Sequence, residues 1–261
     1  MTQPGTRATA RTMLNKVPEV TLLFWVVKVM STTVGETAAD FLADNLGFGL
    51  TNTSLIMAAL LGVVLFLQLR LRRYVPVAYW SVVVLVSIVG TLISDNLVDN
   101  FGVPLWVTTV VFSVTLAAAF TAWWRTEHTL SIHTIVTSRR EGFYWLAILA
   151  TFALGTSAGD LLSEGIGIGY GPSIAIFGTL IALVTVAYWR GGLNSVLAFW
   201  TAYVLTRPLG ASIGDFLTAG RSEGGLALGT NTISLLFLAV ILGSVAWFHV
   251  AQPEQDELLP A

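Results

Sequence analysis

The sequence predicts an all-α polytopic membrane protein: eight transmembrane helices in four parallel two-helix repeats, motif helices inside and second helices facing lipid. Three observations predict it. The composition is strongly apolar, one motif recurs four times, and the basic residues lie on one side of the predicted spans.

Of the 261 residues, 55% are hydrophobic and 11% charged, with a mean hydropathy of +0.77. A soluble domain carries about a quarter charged residues, so most of this surface faces lipid. The formal net charge of −2 lacks the basic face that phosphate binding needs, which argues against a nucleic-acid partner. The absence of cysteine removes disulfides, thiolate metal sites and cysteine nucleophiles. His128, His133 and His249 fall outside the predicted spans, so no copper, zinc or haem site is expected in the membrane and no cofactor is predicted. No phosphate-binding loop and no nucleophile–base set is present, and the chain does not read as an enzyme.

The repeat is the strongest signal. The copies read FWVVKVMSTTVGETAAD, YWSVVVLVSIVGTLISD, YWLAILATFALGTSAGD and FWTAYVLTRPLGASIGD. They align Trp25, Trp80, Trp145 and Trp200, then Gly35, Gly90, Gly155 and Gly210, then Asp40, Asp95, Asp160 and Asp215. Steps of 55, 65 and 55 residues describe a duplication of a duplication. Each copy continues into a second apolar segment, near 52–69, 104–124, 172–189 and 231–248. Since about 20 apolar residues cross a bilayer, eight spans result. The predicted organisation is a disordered cytoplasmic tail over 1–17, repeats 1 and 2 over 18–125, a cytoplasmic linker over 126–140, repeats 3 and 4 over 141–249, and a cytoplasmic tail over 250–261. No cleaved signal peptide is expected.

Ten of the thirteen basic residues lie at the N-terminus or in the connections before each motif helix, and of the rest only Arg221 lies on the opposite side. The positive-inside rule then places both termini in the cytoplasm. A two-span repeat returns the chain to its starting side, so the motif helices are parallel, unlike the inverted repeats of many transporters. The motif tryptophans are expected as cytoplasmic-side interfacial anchors. The small pairs Gly35/Ala39, Gly90/Ser94, Gly155/Gly159 and Gly210/Gly214 suit close helix packing. Pro208 predicts a kink, and the TNT turns at 51–53 and 230–232 are expected as helix N-caps.

Counting from each Trp, positions +3, +7, +11, +15 and +19 share a helix face. Position +15 is Asp40, Asp95, Asp160 and Asp215, and position +19 is Asp44, Asp99, Glu164 and Ala219. Glu36 (+11), Lys28 (+3) and Arg207 (+7) each occur in one of four equivalent slots. Charge in hydrocarbon is costly, so this face turns into the bundle or into water. Fifteen helical residues rise about 22 Å, which places the aspartates toward the outer leaflet.

The functional reading makes Asp40, Asp95, Asp160, Asp215 and Glu36 a cation site, with the four aspartates as metal ligands. Asp44, Asp99 and Glu164 become outer-mouth acids, and Lys28 and Arg207 internal counter-charges. The structural reading makes the same acids loop caps and salt-bridged glue. Carboxylate and hydroxyl oxygens suit hard cations such as divalent metals, and clustered carboxylates can trade protons for cations. The expected function is therefore transport of a small inorganic cation, a divalent metal first, with proton coupling as an option. A cation channel around a quasi-fourfold pore and a non-transporting scaffold or sensor are the alternatives. The expected partners are the bilayer and the cation, with a homo-oligomer left open.

The motifs FW/YW, G and D at these spacings, with STTVGETAAD in copy one, resemble a bacterial membrane family described as a repeat of unknown function, with two spans and a tryptophan in each of four repeats. The resemblance covers about residues 16–248. It implies an eight-span protein of the bacterial cytoplasmic (inner) membrane and implies no activity.

Overall fold

In the computed structural model, which describes residues 15–257, the apolar segments become eight helices: α1 (Leu22–Asp40), α2 (Gly49–Arg70), α3 (Pro76–Asp95), α4 (Leu105–Glu127), α5 (Ser138–Asp160), α6 (Tyr170–Gly191), α7 (Ser195–Thr218) and α8 (Thr230–Glu257). No strand occurs among the described residues. Each motif helix starts on a local signal. The Thr21 hydroxyl accepts from the Phe24 amide at 3.2 Å, Pro76 opens α3, Thr137 accepts from Arg140 N at 3.3 Å, and Asn194 accepts from Val196 N at 2.9 Å. These contacts satisfy amides that have no partner within the first turn.

Seven of these helices are long and apolar enough to cross a membrane. The exception is α1, where Lys28 and Glu36 lower the hydropathy. It packs against α3, α7 and α8, so its charges are covered by protein.

The motif helices form a closed ring in which α1 touches α3, α3 touches α5, α5 touches α7, and α7 returns to α1. Each second helix packs on the motif helix of the following repeat: α2 on α3, α4 on α5, α6 on α7, and α8 back on α1. The most apolar stretches of α3, α5 and α7 are 72, 61 and 56% buried, whereas those of α2, α4, α6 and α8 are 11–22% buried. Leu55, Val63, Val114, Leu183, Leu235 and Leu242 of the outer helices stay exposed. Like layers meet around the ring, and two contacts repeat with cyclic order. The aromatic residue before each Trp packs on the Trp of the next repeat, with centroids 5.7 Å apart for Phe24–Trp80, 5.4 Å for Tyr79–Trp145, 6.0 Å for Tyr144–Trp200 and 5.7 Å for Phe199–Trp25. Each motif glycine leaves space for the +7 side chain of the next repeat: Gly35 for Ser87, Gly90 for Phe152, Gly155 for Arg207 and Gly210 for Thr32.

Several local expectations are corrected. Trp80, Trp145 and Trp200 are buried within the aromatic ring and do not act as interfacial anchors. The exposed tryptophans are Trp106, Trp124, Trp189 and Trp247 on the outer helices. The TNT residues at 51–53 are not an N-cap, because α2 starts at Gly49 and Thr51 Oγ1 instead accepts from Asn100 Nδ2 at 3.3 Å. In copy four, Thr230 is already the first residue of α8. Pro208 lies inside α7 as expected, and its ring lies where Gly155 and Gly159 leave room. At the C-terminus α8 runs on to Glu257, into the segment expected as a tail. The remainder of that tail, 258–261, and the N-terminal tail over 1–14 lie outside the described residues.

The expected N-terminal tail ends in ordered chain, for Lys16 and Val17 are buried. Lys16 Nζ donates to Glu141 Oε2 at 2.6 Å and to the Leu69 carbonyl at 3.2 Å, and Gln68 Nε2 donates to Glu141 Oε1 at 3.3 Å. This network ties the N-terminal segment to the end of α2 and the start of α5. Breaking a buried pair strands a charge, whereas replacing both partners with apolar groups is often neutral. Glu141→Ala is therefore expected to cost about 3–5 kcal/mol and Lys16→Met/Glu141→Met much less, as read from thermal unfolding in detergent.

Candidate functional site

The four +15 aspartates end their α-helices or lie in the last turn, at one level of the ring, and all four are half-buried. Their convergence is electrostatic: Glu36 is the strongest charged neighbour of Asp40, Asp95, Asp160 and Asp215 alike. Asp40 and Asp160 also act on Asp95 and on Asp215. The ring of acids read from the repeat is thus centred on the one unique glutamate. Among the described residues no three His, Asp or Glu side chains lie close enough to hold a metal ion. The aspartates expected as metal ligands, Asp40, Asp95, Asp160 and Asp215, therefore form no ready-made chelate.

Asp40, Asp95 and Asp160 are each followed by a single wide helical turn, over Phe41–Asn45, Asn96–Asn100 and Leu161–Gly165. Its i→i+5 bonds close from Leu46 N to Phe41 O at 3.0 Å, Phe101 N to Asn96 O at 3.1 Å and Ile166 N to Leu161 O at 2.7 Å. Such π-turns recur at functional sites. They carry the +19 acids Asp44, Asp99 and Glu164, all exposed. Tyr170 Oη donates to Glu164 at 2.9 Å. The fourth repeat has Ala219 at this position, and α7 there leads into a loop that bonds back to it, Leu226 N to Phe216 O at 2.8 Å. Nothing in the motif spacing announced the π-turns, although they coincide with the copies that keep a +19 acid.

Below the aspartates the axis is closed by an ion pair. Arg207 Nη2 lies 2.8 Å from Glu36 Oε2. It also donates to Thr156 Oγ1 at 2.7 Å and to Thr91 Oγ1, and Thr91 donates to Glu36 at 3.1 Å. Arg207 is 0% and Glu36 5% exposed, so the pair is desolvated; two hydroxyls from α3 and α5 and the Thr32 carbonyl, 3.5 Å from Nη1, add contacts, while Arg207 Nε has no partner. These threonines occupy the +11 slots equivalent to Glu36. The stripe identified them as polar, while their role as ligands of the guanidinium needed the fold.

Of the two expected counter-charges, only Arg207 pairs with an acid. Lys28 lies one layer deeper, fully buried, with Nζ 4.6 Å from the Phe152 ring centre and 4.4 Å from that of Tyr203. Its Nζ has no hydrogen-bond partner. Beneath it the ring of paired aromatics fills the interior, with Tyr79 and Tyr144 hydroxyls 2.6 Å apart. From the end that carries the exposed acids, the axis therefore presents those acids, four aspartates, an ion pair, a lysine without a hydrogen-bond partner among rings, and paired aromatics.

Four consecutive segments of the chain, 23–74, 78–129, 143–192 and 198–253, match a family model described as a Repeat of Unknown Function (DUF347). No curated protein and no solved structure matches the chain.

Proposed function

We propose a function for this chain, which belongs to the family of the Repeat of Unknown Function, as a membrane carrier of small cations. The cargo enters the acidic cup of Asp40, Asp95, Asp160 and Asp215 and is held there against Glu36. The observation that carries this reading is the convergence of four repeat-equivalent carboxylates on one buried glutamate whose charge a guanidinium already neutralises. Arg207 is then the internal cation that cargo must displace.

In this reading all eight helices span the bilayer, α1 included because α3, α7 and α8 cover it. The four repeats run parallel, the outer helices face lipid, and both termini lie in the cytoplasm on the strength of the basic connections. The cup then opens outward, in a bacterial cytoplasmic membrane. Carboxylate and hydroxyl donors suit a hard divalent metal, with protons as the exchanged ion. A carrier is favoured over a channel because the buried Phe152, Lys28 and paired aromatics lie below Glu36, where a pore would call for polar or charged lining.

The test is uptake of a panel of divalent and monovalent cations into vesicles containing the purified protein. One cation is expected to accumulate. Asp160→Asn should weaken its apparent affinity about tenfold or more, a tenfold change being 1.4 kcal/mol of lost binding, with the melting temperature maintained. Uptake of no cation by folded wild type would overturn the carrier. Variants that all fail to fold would favour acids that serve as structural glue.

A further inference from the structure

Position +3 of the repeat holds Val83, Ile148 and Tyr203 in three copies and Lys28 in the fourth. Lys28 and Tyr203 therefore belong to one layer on adjacent motif helices, and Phe152 of α5 reaches the same ammonium. Lys28 Nζ is fully buried and has no hydrogen-bond partner, so the faces of these two rings are the contacts that hold it. Ring faces attract ammonium and guanidinium groups, and Arg207 Cζ also lies 5.3 Å from the centre of the Phe152 ring. Such a space offers nothing to a strongly hydrated divalent ion, which needs oxygen ligands.

We propose that the space walled by Phe152 and Tyr203 is an inner binding site for a small primary-ammonium cation, occupied in this state by the protein's own Lys28. The tethered ammonium blocks the axis beneath the carboxylate cup, so cargo held at Glu36 goes no deeper until Lys28 withdraws. The inference deepens the cation-carrier reading, but its test reads binding and not flux, so the two fail separately.

Lys28→Ala removes three methylenes and the ammonium and leaves a space that n-propylammonium matches in length and charge. Thermal unfolding of the purified full-length variant in detergent is expected to shift upward by about 2–4 °C at n-propylammonium concentrations several-fold above its Kd. Wild type, whose site is filled, should not respond, and Lys28→Ala/Phe152→Leu should lose most of the shift. No shift in Lys28→Ala overturns the site. An equal shift with n-propanol also overturns it, since the space would then accept any apolar filler. Where Lys28→Ala is not recovered folded, the coupling between Lys28→Met and Phe152→Leu decides: losses in Tm smaller in combination than their sum support the cage, and additive losses overturn it.

Discussion

Arg207→Met is expected to lower the stability of the folded protein by about 3–5 kcal/mol. The guanidinium is wholly buried and meets Glu36, Thr91 and Thr156 at once. Removing it leaves Glu36 as an uncompensated carboxylate close to four aspartates, and the two threonine hydroxyls lose their shared donor. Glu36→Gln strands the opposite charge and is expected to cost a similar amount. Replacing both, as in Glu36→Leu/Arg207→Met, should recover most of the loss, because desolvating two ions offsets much of their attraction. Thermal or denaturant unfolding of the four proteins in one detergent makes the comparison. The double variant also separates stability from function, since a folded protein lacking Glu36 is expected to have lost cation uptake. Retained uptake in that variant would remove Glu36 from the site.

The second large effect belongs to the glycine seam. At Gly90 an added methyl would sit 2.5 Å from Phe152 Cβ and 3.1 Å from the Ala153 amide nitrogen. Gly210→Ala would press on Thr32 and on the Val29 carbonyl, at 3.1 Å. Part of each obstacle is backbone, so the helices themselves must separate, and overpacking of this kind costs about 1–3 kcal/mol. The cost propagates, because moving α3 from α5 or α7 from α1 loosens the layer that holds Thr91, Thr156 and Arg207 together. Gly214→Ala, whose nearest atoms lie at 3.5 Å, should be tolerated. Gly62→Ala and Gly178→Ala on outer helices meet nothing within 4 Å and should be neutral or stabilising by up to about 1 kcal/mol from helix propensity. Unfolding of these five variants, ranked against wild type, tests the seam. A flat ranking would remove the ring contact as the reason for the repeated glycine.

Much of the architecture was legible in the repeat. The aromatic–Trp pair, the glycine and the aspartate recur because each makes the same contact with the next copy, so a side chain's place in one repeat foretells its equivalents in the others. Trp80 misled for an instructive reason: composition rules treat a terminal tryptophan as an interfacial residue, whereas a closed ring of four helices has an inside at its ends as well as its middle. The same limit applies to Lys16, which stands in a polar tail and yet reaches Glu141, 125 residues away. No local pattern encodes a partner at that distance.

The sequence by itself determined the helical class, the count of repeats and the register that makes the four aspartates equivalent. These follow from periodicity and hydropathy, which are properties of single helices and of the bilayer as solvent. Tertiary structure decided which unique side chain meets which: Arg207 pairs with Glu36, while Lys28, one turn away on the same stripe, sits between two aromatic rings. That choice depends on how four helices rotate against one another, and rotation is set by where glycine lets a neighbour's side chain enter, a property of the contact between copies rather than of any copy alone.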